Sequence, residues 1–366
     1  MQRKVTTEPL GRDSRGPGKP VGLESAARLA EAESGDPVEA IEKAFKRRDS
    51  RALKHYQRRL NLTVFSVALG PVAVLLLATQ VLVYPEGGVI GSTLIAIELA
   101  VLTLVLAVGF LQMGRSHRLW IRERLRAEVL RREEFLLRAR VGPYLGTQAT
   151  ALGERVSERL VTIDSEVNDP VALLRLQDEG ENWRDALEDA KHNNTLGITP
   201  DFADNLQAYL TQRTKRQREW FSENSSALGK HARFYENGAR LVVVLALIIA
   251  ALHLGWLNAD HDGGFMHTLL IVIAIVAPAI GSAFVGLQSV SGSQRLSRSH
   301  AFHAHALERL EKIFRRIQLK LEQSGAADDD LQFQFQRAVL GTEELLSSEL
   351  YLWWLIMHTE APRASA

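Results

Sequence analysis

The chain has 366 residues, with 44 Lys and Arg against 43 Asp and Glu and a formal net charge of +1. That balance gives no global charge argument for nucleic acid as a partner, and the absence of cysteine excludes disulfides, thiolate metal sites and cysteine nucleophiles. The mean hydropathy of −0.07 averages strongly apolar runs with strongly charged ones.

Residues 1–36 are rich in Gly, Pro, Ser and charge and lack the apolar core of a signal peptide, so they read as a disordered N-terminal tail. Four apolar runs follow. Leu62 to Val83 carries no charge, and Gly87 to Gln112 carries only Glu98. Leu241 to Ala259 holds only His253 as a titratable group before its end, and Gly263 to Gln294 only His267. A helix needs ~20 apolar residues to cross a bilayer core of ~30 Å, and in lipid the backbone must satisfy itself, so each run predicts a membrane-spanning helix. Pro71 and Pro278 lie inside these helices. The alternative is a buried helical hairpin of a water-soluble protein.

The runs are joined in pairs by short links, Tyr84 to Gly88 and Asn258 to Phe265, whose charges are all acidic. Lys and Arg crowd the outer flanks from Lys43 to Arg59 and from Arg115 to Arg126, with fewer around Arg240 and Arg295. Basic residues stay in the cytoplasm. Both hairpins therefore point outward, with the two termini and the middle of the chain inside the cell.

Two stretches enter the membrane alike: Tyr56 and basic residues precede one apolar run, Tyr235 and basic residues another. Leu111-Gln112 closes the first pair of runs and Leu287-Gln288 the second, at nearly equal distances from those tyrosines. The fold class expected is therefore an all-α membrane protein: two parallel-repeat transmembrane hairpins, four spans in all, on long cytoplasmic helices. An axis along the membrane normal would relate the units. The units are residues 37–142 and 203–325. Residues 143–202 form a cytoplasmic connection, and 326–366 a C-terminal cytoplasmic helix and tail.

After the fourth span, Leu307, Leu310, Phe314, Ile317 and Leu321 recur at heptad spacing. After the second, Ile121, Leu125, Val129 and Leu136 form a looser stripe among arginines and glutamates. These seams fit packing within one chain or between chains. "LYLWWLIM" (Leu350 to Met357) is too short to span, and its tryptophans fit the membrane interface or the helical base.

Little in the sequence speaks of catalysis: it has no P-loop, G-x-S-x-G or H-E-x-x-H. His300, His303 and His305 share one helix without a nearby carboxylate, so they read as part of a solvated juxtamembrane helix rather than a metal site. We expect no enzyme activity, cofactor or metal. Glu98 is the exception within the spans. It lies ~15 Å into its helix at 1.5 Å per residue, near the bilayer centre, where a carboxyl is expensive. It either lines a pore or gate, or is a protonated group bonded between helices to Gln80 or Thr103. Ala96 with Ala100, and Ser282 with Gly286, have the small-residue spacing that lets helices approach closely.

The assembled unit resembles the SLATT domains, the SMODS and SLOG-associating two-transmembrane effector domains. The second unit carries the entry pattern in Arg213 or Arg216, Gln217, Trp220, Phe221 and Tyr235. The first is similar through Tyr56 in "KHYQRR" and an exit helix with Trp120, Arg126 and Glu128. The resemblance covers roughly residues 38–140 and 203–325, as a tandem pair. It implies a membrane effector of bacterial conflict or anti-phage systems in the inner membrane. A nucleotide second messenger, or a nucleotide-sensing partner protein, would trigger it. It would act as a homo-oligomer that breaches the bilayer. A non-permeating scaffold or sensor is the alternative.

Overall fold

The computed structural model describes residues 36–83, 88–108, 114–166, 182–196, 199, 201–257 and 265–359. The N-terminal tail before Asp36, both outer links, the Leu111-Gln112 pair and the side chains of His253 and His267 lie outside the described residues. Among the described residues there is no strand.

The first unit is built from α1 (Pro37–Val83), α2 (Gly88–Ala107) and α3 (Gly114–Ala139). The connection holds two 3₁₀ turns, α4 (Leu152–Glu166) and a helix over 182–192, α5. The second unit begins with α6 (Phe202–Ala208) and a π-helical segment, Tyr209–Lys215. It continues with α7 (Arg216–Leu257), α8 (Phe265–Ser291) and α9 (Ser293–Ser324), and α10 (Asp329–Thr359) closes the chain.

Among the described residues, four helices are long and apolar enough to cross a membrane, and at most 17% of any such window is buried inside the protein. They are therefore not the core of a water-soluble bundle. Each entry helix is continuous with its span: α1 has 47 residues, ~70 Å at the α-helical rise, about twice the thickness of the hydrocarbon. Pro71 and Pro278 sit inside unbroken helices. Span hydroxyls return to their own backbone, as with Thr79 to the Leu75 carbonyl (2.8 Å) and Thr93 to that of Val89 (2.8 Å).

Within the membrane, α1 packs on α2, α8 packs on α7, and α1 also packs on α8. The spans thus run in the order α2, α1, α8, α7. The seam between units joins unlike spans, the entry span of one to the exit span of the other. Gly238 in α7 lets the second pair come close, since a Cβ there would stand 3.0 Å from the Phe284 ring of α8.

The core lies in the cytoplasmic base. Leu307, Phe314 and Ile317 of α9 are buried there, and Leu310 and Leu321 pack against the same core. The heptad seam is therefore used within the chain. α10 crosses from α9 to α3, and Trp353 and Trp354 pack on the core rather than reaching out of it. The connection is pinned by Gly142, whose φ of +63° and 3.0 Å approach to the Trp183 ring leave no room for a side chain.

Candidate functional site

Two places in the fold hold polar groups where burial makes them expensive: the junction of α3, α7 and α10, and the seam between α1 and α2.

At the junction the chain enters α7 through the π-helical segment. Wider π turns inside α-helices recur at functional sites; here the turn directs Tyr209, Leu210, Arg213 and Thr214 into the core. Arg213 donates through Nε and Nη2 to the two carboxylate oxygens of Glu343 in α10, at 2.9 and 2.6 Å. Tyr209 Oη donates to the same carboxylate at 2.8 Å. The two charged side chains are 3% and 2% exposed. A bidentate, hydrogen-bonded pair is the arrangement that offsets such desolvation. Around it, Phe135 of α3 lies 5.1 Å from the Arg213 guanidinium, and Tyr209 sets its ring against Phe135, Phe314 and Phe335. Burial opposes the Arg213 charge, but Glu343 outweighs it and raises the guanidinium above its ordinary value. Burial, reinforced by Glu343, pushes the Tyr209 hydroxyl well up and keeps it a donor.

Beside this pair a crevice opens between the three helices. Glu128, Arg213, Gln217 and Trp220 all line it, together with Arg124 and Glu349. Four of the residues expected from sequence, drawn from both units, thus meet in one place. The crevice holds about 40 Å³, room for two or three waters. Burial tends to raise the Glu128 carboxyl, but Arg124, Arg131 and Arg213 together hold it below its ordinary value.

Trp120 marks a second contact nearer the membrane. Its ring meets Tyr56 of α1 at 5.3 Å and stands edge-on to Trp353 of α10 at 5.1 Å, with the Arg59 guanidinium 4.9 Å away. One turn earlier, His117 Nε2 donates to the Met357 carbonyl (3.1 Å). Arg126 is turned toward α4, donating to the Asp164 carbonyl at 3.0 Å; burial first, and then neighbouring Arg48, lower its guanidinium. Tyr235 stands apart from both contacts, half-buried, with its ring 5.8 Å from Phe234.

The histidines differ from the solvated reading. His300 and His303 are 4% and 1% exposed. The His300 ring packs on Trp220 and Phe221 and lies 3.5 Å from Glu349; His305 faces solvent. The reason is register: positions 300, 303 and 307 share the face of α9 that carries its apolar seam. Among the described residues no group of three or more His, Cys, Asp or Glu is placed to hold a metal.

On α2, the less exposed positions are Gly91, Leu94, Glu98, Val101 and Val105, a single stripe facing α1. Glu98 is half-buried on it and makes no hydrogen bond or ion pair with any described residue, Gln80 and Thr103 included. In the same register α8 carries Ala274, so only the first seam is acidic.

The sequence did not point to Glu343, Tyr209 or Glu349. Glu343 is 130 residues from its arginine, and nothing in "GTEELL" separates it from a surface glutamate. Residues 209–353 match the model of the family described as SMODS and SLOG-associating 2TM effector domain 1. The matched stretch runs from the first residue of the π-helical segment to Trp353, and so takes in both Arg213 and Glu343. No curated protein and no solved structure matches the chain.

Proposed function

We propose, from the match of residues 209–353 to the SLATT family model, that the chain is a membrane effector of a bacterial conflict or anti-phage system. It sits in the inner membrane with both termini in the cytoplasm. On a trigger it oligomerises and forms a regulated pore, or otherwise disrupts the bilayer. The observation that carries this reading is the division of the molecule. Four nearly uncovered apolar helices stand on a base in which Arg213 of the second unit is buried and paired with Glu343 of the closing helix, against Phe135 of the first unit. Such a base offers two packings of one junction rather than gradual deformation, which is what a switch requires.

The trigger is a nucleotide second messenger or a nucleotide-sensing protein. The crevice beside Arg213 and Glu128 is too small for a nucleotide as it stands, so a ligand acting there has to part α3, α7 and α10. That would spread the base and free the hairpins above it. Glu98, at mid-membrane, would then turn from the α1 seam into a water-filled path and favour cations. No step calls for catalysis, a cofactor or nucleic acid.

A non-permeating scaffold or sensor is the second reading, supported by the position of Glu98 against α1. Membrane potential in bacteria under inducible expression separates the two. Depolarisation by wild type but not by an equally abundant Glu98→Leu variant is the expected result. Depolarisation by both keeps the pore and makes Glu98 structural. A potential unchanged by either, with the protein in the membrane, favours the scaffold.

A further inference from the structure

α10 runs antiparallel to α3 toward the membrane, and its contacts fix the height of its end. At the far end of α3, Gln336 Nε2 donates to the carbonyls of Ala139 and Arg140, at 3.3 and 3.1 Å. Further along α10, Trp353 meets Trp120, and the Met357 carbonyl meets His117 near the start of α3. Trp120 also touches Tyr56 and Arg59 of α1. At the α-helical rise these two stand ~5–9 Å short of Leu62, where the uncharged run of α1 begins. The headgroup layer of each leaflet is about 5–8 Å thick, so the last turns of α10 are level with it.

The outer face of α10 changes character on the way there. Glu344 on that face pairs with Arg184, and Ser348 follows one turn on. Beyond it come Tyr351, Leu352 and Leu355, the two leucines 41% and 40% exposed. From Leu345 to Met357 the one charge is Glu349, and it lies 3.5 Å from His300 of α9, away from this face. Trp353 and Trp354 pack on the core, so the aromatic turns are anchored inward and hold the leucines outward. A single exposed leucine is ordinary at a protein surface. A face that turns from polar to apolar at the height of the headgroups fits a helix lying in that layer. Tyr351, its ring 6.0 Å from that of Trp354, is of the amphipathic type enriched there. Arg115 and Arg118, exposed at the start of α3, place cations beside lipid phosphates.

We propose that the turns of α10 from Tyr351 to Met357 lie in the headgroup layer on the side of the base, with Leu352 and Leu355 against phospholipid. This goes beyond the effector reading and holds whether or not the chain opens a pore. α10 also supplies Glu343 to the buried junction, so one helix ties that pair to the bilayer surface.

Spin labels on single cysteines test it, since the chain has no cysteine of its own. Full-length Leu352→Cys and Leu355→Cys are labelled in vesicles of phosphatidylethanolamine and phosphatidylglycerol. The references are Leu247→Cys in the third span and Leu319→Cys on the far side of α9, 65% and 55% exposed; they calibrate lipid and water, and circular dichroism checks that each variant keeps its helices. The expected result is that labels at 352 and 355 collide more often with oxygen, which partitions into lipid, than with a water-soluble nickel chelate. That is the order at 247 and the reverse of the order at 319. A preference for nickel at 352 and 355 puts the face in water and overturns the proposal. Few collisions with either reagent put the face under protein, a second copy of this chain included, and overturn it as well.

Discussion

The two exit helices, α3 and α9, leave the membrane into the same base and are stabilised by opposite means. α9 is amphipathic: its seam is buried, and Phe302, Ile313 and Leu319 on the far side are exposed. α3 is richer in charge, yet past Arg118 none of its residues is exposed. Its charges are matched by other elements. Arg48 of α1 reaches Glu123 (3.1 Å) and Asp164 (2.6 Å). Arg159 of α4 holds Glu133 at 2.6 Å, with the Tyr144 hydroxyl donating to the same carboxylate at 2.9 Å. The helix crossings differ in the same way. Where α3 meets α1 an aromatic group built on Trp120 fills the space. Where α9 meets α7, Ser225 and Ser297 each donate to the other's carbonyl, at 3.0 and 2.8 Å, and the backbones draw close. A charged helix, then, is not by that fact a solvated one; what decides is whether its neighbours carry the complementary charges.

Substitutions that would be harmless under the opposite assignment sharpen this contrast. Glu133→Leu removes a carboxylate that is 1% exposed and takes it from both Arg159 and Tyr144, so it should cost about 3–5 kcal/mol. If α3 were an ordinary charged surface helix, the thermal midpoint in detergent would hardly move. Leu307→Ala, at a fully buried position of the α9 seam, should cost about 2–5 kcal/mol by leaving a cavity; a smaller loss in the same assay would place that seam outside the core. Ser297→Ala gives up one hydrogen bond at the second crossing and should cost about 1 kcal/mol, measured by the same denaturation. The smallest effect is one of pH. The Glu128 carboxyl is held below its ordinary value, so its contribution is full above an unfolded pKa of about 4.3 and is lost as pH falls through the lower folded value. Glu128→Gln should flatten that part of the stability profile, and an unchanged acid limb would show that its arginines do not act on it.

The spans were legible because uncharged runs of that length have few other uses, and the α9 seam because its spacing is regular. Trp120, Glu128, Arg213, Gln217 and Trp220 could be singled out as residue types in a pattern. What the pattern could not convey was that four of them converge on one crevice, since that depends on how α10 crosses from α9 to α3. The burial of α3 was hidden for a related reason. Its apolar stripe is loose, so packing on one side could be expected, but burial on all sides follows only once Arg48, Asp164 and Arg159, far away in the chain, are placed beside it. His300 and His303 went the same way: their spacing is the seam's spacing, and their polarity masked it.

In the proposed switch, the buried junction of the base restrains the hairpins in the membrane. The most direct test is the decay of an imposed potential across lipid vesicles holding purified wild-type protein or Glu343→Leu, with helical content checked by circular dichroism. Removing Glu343 leaves Arg213 buried without its partner and releases the junction. The account predicts that Glu343→Leu vesicles lose their potential faster than wild-type vesicles at equal protein and equal helicity. If both hold the potential alike, the junction does not govern the membrane helices, and the account is contradicted.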